Sequence, residues 1–139
     1  SKKELLANDF AVFRAFCDAE IAMSAHVLFE SIDPYSPAST SKKLMDIIRN
    51  EIKFSGLLIS DDISMAALPG DIRKRTKNLV VAGNDVILHC NGKLFEMKEI
   101  IYSGVVPNTL TLSRMASVIE ERKKIEHNKI NNLESTESS

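Results

Sequence analysis

Asp61 and Asp62 stand side by side directly after the apolar run Leu57-Leu58-Ile59 and Ser60. A carboxylate held ionised beside a helix amino terminus is suited to attack an electrophilic carbon. The ordinary use of such a pair is to cap the helix that follows. Alternation along a strand gives Asp61 the direction of Leu57 and Ile59 and turns Asp62 the other way. The expected division is that Asp62 caps while Asp61 faces the space at the strand ends. In a parallel α/β fold, ligands and catalytic groups collect at the carboxyl ends of strands.

His26 ends one apolar stretch and His89 nearly ends another. A single histidine of this kind is more often a hydrogen-bonded structural group than a catalytic one. Their common place at strand ends raises both as site residues. Asp85 precedes its strand, at the wrong end for the active face. Arg73-Lys74-Arg75 reads as the solvated side of a helix, and His127 lies in a polar stretch. There is no glycine-rich phosphate loop and no His/Cys/Asp cluster at metal-ligand spacing, so neither cofactor nor metal is expected.

The elements that must position these residues follow from periodicity and punctuation. Leu5, Leu6, Phe10, Phe13 and Phe16 mark helix over residues 4–18, interrupted at Asn8-Asp9 with Asp9 as a cap. A strand over residues 21–27 carries His26, and Pro34 and Pro37 make the next stretch a loop. Leu44, Ile47, Ile48 and Ile52 predict a helix capped by Ser39, Thr40 or Ser41. Gly56 opens the strand Leu57–Ser60, and a short helical piece through Met65 and Leu68 stops at Pro69-Gly70. Asp71 caps a helix closed by Gly83. Residues 85–90 form the third strand, Leu94 to Ile101 a further helix, and Ser113 caps the last. The polar composition from Asn128 predicts a disordered tail over 128–139, leaving 1–127 as the domain. Three βα units behind a leading helix imply parallel strands joined by right-handed crossovers.

Composition excludes several function classes. Apolar residues make up 44% and charged residues 27%, ordinary for a soluble globular chain. The net charge of -1 recruits neither nucleic acid nor an anionic membrane. No apolar run reaches the ~18 residues of a membrane span, and no signal sequence is visible. Cys17 and Cys90 are expected to be small reduced hydrophobes in the interior, which points to the cytoplasm.

Three ordered blocks are similar to one family. They are Ala22-Met23-Ser24-Ala25-His26-Val27, the stretch from Phe54 through Ser60-Asp61-Asp62 to Met65, and Ala82-Gly83-Asn84 through His89-Cys90-Asn91-Gly92. Together they resemble the carboxy-terminal part of the bacterial β-N-acetylhexosaminidases of glycoside hydrolase family 3, over residues 5–122. The resemblance implies part of a (β/α)₈ barrel that removes terminal N-acetylglucosamine from muropeptides through a covalent glycosyl-enzyme. It implies Asp61 as nucleophile, with His26 and Met65 near the sugar. Asn84 stands where the family usually has cysteine. The family's acid/base histidine, in a Gly-His-Gly block, has no match here. The chain alone is therefore expected to carry half of a catalytic pair, and to need the amino-terminal half of the barrel as partner. The alternative expectation is an inactive truncated remnant that serves at most as a binding fragment.

Overall fold

The structure is a computed structural model that describes the backbone of residues 1–137 and the side chains of residues 1–128. Two compact units divide it, residues 1–107 and residues 108–139. In chain order the first unit holds α1 (Lys2–Ala7), α2 (Asp9–Arg14), β1 (Ile21–Ser24), α3 (Lys42–Asp46), β2 (Leu57–Asp62), α4 (Ile72–Ala82), β3 (Val86–Leu88) and α5 (Leu94–Ile101). The second unit is the helix α6 (Thr109–Glu137). No helix among the described residues is long and apolar enough to cross a membrane.

The strands lie in the order β1-β2-β3, all parallel, as the alternation of strands and helices predicts. Ile21 faces Leu57 and Ser24 faces Ser60 in an unbroken register. Gly56 enters β2 where a Cβ would sit 2.4 Å from the Ala19 carbonyl oxygen and 2.5 Å from that of Glu20, so only glycine allows this approach. One apolar cluster joins Phe10, Leu44, Met45, Ile47, Phe54 and Leu58 beneath the sheet. A smaller one joins Ile63, Leu68 and Leu79.

Local signals set several boundaries. Ser41 is the cap of α3, its hydroxyl oxygen accepting the Leu44 amide at 3.3 Å. Asp71 caps α4 through the Lys74 amide at 2.8 Å, and Gly83 ends it at φ 128°. At the end opposite the paired aspartates, Asp85 accepts from Arg49 at 2.7 Å and from the Leu58 amide at 2.9 Å. Arg49 also reaches the carbonyls of Phe54 and Gly56. This buried ion pair locks the entry of β2 and β3, which gives Asp85 a structural role.

Other boundaries differ from expectation. The break between α1 and α2 occurs as predicted, but Asn8, not Asp9, is the residue before α2. After α3 the backbone widens into a π-helical turn over Ile47–Glu51, with the Ile52 amide on the Ile47 carbonyl. The stretch from Met65 to Leu68 is a series of turns, not a helix. Asn108 caps α6, its side-chain oxygen accepting the Thr111 amide at 2.9 Å, so Ser113 lies inside the helix. The α6 backbone continues past residue 128 to Glu137, while residues 138 and 139 fall outside the described residues. Cys90 is exposed and Cys17 half-buried, not interior as expected.

Candidate active site

The middle strand carries the two aspartates. β2 runs two residues further than predicted and includes both. Asp62 is fully engaged. One of its carboxylate oxygens accepts the Ser64 amide at 3.0 Å and the Cys90 amide at 3.1 Å, and the other accepts the Ser64 hydroxyl at 2.6 Å. Burial works to raise the Asp62 carboxyl. The Ser64 hydroxyl and amide, the Cys90 amide and the nearby His89 outweigh it and hold the group below the usual range. Asp62 therefore anchors a turn and ties the end of β2 to Cys90, the second residue after β3. It caps no helix, which corrects the expected division of labour on that side.

Asp61 is half-buried and far less committed. Its Oδ1 accepts the Asp62 amide at 2.8 Å. Among the described residues Oδ2 has no hydrogen-bond partner. Strict alternation does not carry through to it, because the β2–β3 register slips between Ile59 and Asp62. The direction of Asp61 is set by that irregularity and not by simple parity.

His26 lies two residues beyond β1. Its Nε2 is 3.0 Å from the Asp62 carbonyl oxygen, and its Nδ1 is 2.6 Å from the Ser39 hydroxyl. A carbonyl only accepts, so Nε2 carries the hydrogen, and Nδ1 is held by the Ser39 hydroxyl. His26 thus fastens the ends of β1 and β2 together. Met65 is exposed on the turn after Asp62.

His89 follows β3, with its side chain 6% exposed. Its Nε2 is 2.9 Å from a Glu96 carboxylate oxygen on α5, and its Nδ1 is enclosed without a partner. Glu96 is held ionised below its usual range first by His89 and then by Asn91. The structure does bring Asp61, His26 and His89 to the same end of the sheet, while His127 lies on α6 in the other unit.

Three residues around the site gave no clear signal in the sequence. Ser60 is fully buried and bonds both Asp61 and Leu88. Ser39 holds His26. Arg75 is half-buried, not merely solvated: it donates to the carbonyls of Ile63, Met65 and Gly70 at 3.0, 3.1 and 2.9 Å. Arg73, its neighbour in the basic run, pairs with Glu99 on α5. No group of three or more potential metal ligands occurs among the described residues.

The arrangement can present one carboxylate oxygen of Asp61 to an electrophile. Neither His26 nor His89 offers a free, accessible nitrogen beside it.

Residues 1–123 match the family described as glycosyl hydrolase family 3 N terminal domain. A β-hexosaminidase of Vibrio cholerae serotype O1 is 33% identical over 133 residues, which are 90% of this chain and 40% of that protein. A β-hexosaminidase of Nitrosomonas eutropha is 39% identical over 88 residues, 60% of this chain and 25% of that protein. Among solved structures, NagZ from Neisseria gonorrhoeae in complex with N-trifluoroacetyl-D-glucosamine is 30% identical with a TM-score of 0.70. That match covers 84% of this chain and 34% of the other. The chain thus spans well under half the length of these relatives, and its three parallel strands form part of an α/β barrel.

Proposed function

From the premise that the chain belongs to glycosyl hydrolase family 3, we propose that it supplies the nucleophile-bearing part of a retaining β-N-acetylhexosaminidase. Asp61 would attack the anomeric carbon of a terminal non-reducing N-acetylhexosamine, the substrate being a muropeptide or similar saccharide. The glycosidic bond breaks as the Asp61–sugar ester forms, and an acid protonates the departing oxygen. Water then hydrolyses the ester, returning Asp61 as a carboxylate.

The observation that carries this reading is the contrast within the pair. Asp62 spends both oxygens on three donors, whereas Asp61 keeps one oxygen without a partner among the described residues, at the carboxyl end of the middle strand. His26 has both nitrogens engaged, so its support to a bound sugar would be the ring face and the rigidity it gives the β2 end. Exposed Met65 would border the sugar. The acid would come from a segment outside this match, which makes the remaining part of the barrel the proposed partner. The free cysteines accord with work in the reducing cytoplasm.

A second reading has its own support: with neither histidine free to donate, the chain would be an inactive remnant or binding fragment. A chromogenic N-acetylglucosaminide separates the two. The chain is assayed alone and co-expressed with the part of the Vibrio cholerae relative that it does not span. Hydrolysis that appears on co-expression and vanishes in Asp61→Asn is the expected result. No hydrolysis in any combination, or hydrolysis that survives Asp61→Asn, sinks the proposal.

A further inference from the structure

The register slip next to Asp61 is a β-bulge held by a side chain. Ile59 faces Val86 and Asp62 faces Leu88, so β2 advances three residues where β3 advances two. A bulge of this kind breaks the ladder locally and re-aims the side chains beside it. The main-chain groups it leaves behind need other partners, since an unpaired buried amide is costly.

Ser60 provides them. It is 0% exposed, inside the bulge. Its hydroxyl oxygen accepts the Leu88 amide at 3.2 Å, standing in for a main-chain carbonyl. The same hydroxyl donates to the Asp61 carbonyl at 2.8 Å. One donor and one acceptor of a single hydroxyl thus close the bulge on both strands. On the other side of the same residue, the Asp62 amide holds Asp61 Oδ1 at 2.8 Å. The Asp61 backbone and one carboxylate oxygen are therefore both fixed, and the direction of Oδ2 follows.

We propose that Ser60 is a positioning residue: its hydroxyl stabilises the bulge that aims the free Oδ2 of Asp61 into the space at the strand ends. The role as stated rests on Asp61 being the nucleophile, but the geometric part is testable without turnover. Alanine at position 60 removes the hydroxyl. Ser60→Cys keeps its volume with a poor donor and acceptor, and so remains informative where the alanine variant folds badly. Ser41→Ala is the control, because Ser41 is equally buried and bonds Asp33 at 2.6 Å.

In the unaltered chain, three-bond NMR couplings should report one χ1 rotamer for Asp61, and the Leu88 amide should exchange slowly. In Ser60→Ala and Ser60→Cys, exchange at Leu88 should rise about tenfold, the factor that one typical hydrogen bond carries. Asp61 should then average over rotamers, while Ser41→Ala changes neither readout. Faster exchange at Leu88 with Asp61 still in one rotamer would leave Ser60 a purely structural residue and overturn the proposal. In the co-expression assay Ser60→Ala should lower kcat about a hundredfold, the scale of a small misplacement of a reacting group, with KM little changed. Should Asp61→Asn leave turnover intact, the nucleophile reading fails even though the rotamer result stands.

Discussion

A carboxylate can attack carbon only if an oxygen is left uncommitted, and a carboxylate can stabilise a fold only if its oxygens are used. The two aspartates of β2 divide along that line. Asp33, in the loop after β1, belongs with Asp62: its side chain accepts the Ser41 hydroxyl at 2.6 Å and the Tyr35 amide at 3.2 Å. The Ser41 hydrogen bond leads the causes that hold Asp33 below the usual carboxylate range. Both groups are lower in the folded chain than the unfolded value of about 3.9, so folding favours their ionised forms. That stabilisation is complete above the unfolded value and is lost as pH falls through the lowered folded values. The urea midpoint should therefore drop as pH falls below about 4, and Asp33→Asn should flatten that acid limb. An unchanged acid limb in the variant would show that Asp33 carries no such linkage. Asp61 stands out in the sequence as a candidate, but the commitments of Asp62 do not, because Cys90 reaches it across 28 residues. Asn84, which the resemblance sets against a cysteine, is held by its surroundings. It is buried, donates to the Ser39 and Leu79 carbonyls at 2.7 Å each, and accepts from Ser24 at 2.5 Å.

Elements whose ends are written locally were legible. α4 begins at a side-chain cap and stops at a glycine with positive φ, both within its own sequence. The turns after Asp62 were not, although Met65, Ala66, Ala67 and Leu68 look like helix. In a helix the Ile63 and Met65 carbonyls would accept from amides four residues on; here both accept from Arg75, and Met65 also from the Leu68 amide three residues on at 3.4 Å. A side chain from the next element has taken the helix's acceptors. The bulge at Ser60 was hidden for the same reason, since register is a property of two strands. Arg75 therefore acts as a clamp on the segment that follows Asp61 and Asp62. Lysine keeps the charge but lacks the planar fork that reaches three carbonyls. Arg75→Lys should speed amide exchange over residues 63–70 while leaving the α4 amides near their original rates. Equal acceleration in both places would mean that Arg75 supports the fold at large and not this loop.

At the scale of the whole molecule, the three-strand parallel sheet among the described residues has two unpaired edges, β1 and β3. Parallel sheets are normally covered on both faces, and free edges invite pairing with another chain. Met23 on β1 is 57% exposed and Phe16, ahead of β1 in the chain, 64%; Phe95 and Ile101 on α5, the helix after β3, are 72% and 75% exposed. Single exposed apolar residues are unremarkable, but several on the edge strands and the segments joined to them are what a chain missing its covering partner would leave open. In a closed barrel those edges meet further strands, consistent with relatives of which this chain spans at most 40%. The isolated chain should therefore self-associate. Light scattering coupled to size exclusion should show a mass that rises with concentration, and an apolar dye should bind and fluoresce. Co-expression with the part of the barrel proposed as partner should suppress both signals, since it would occupy the same edges. A monomer at all concentrations with one sharp cooperative melt would contradict the prediction. Such a result would mean that three βα units and their helices bury enough surface to stand alone, and the case for a required partner would then rest on chemistry only.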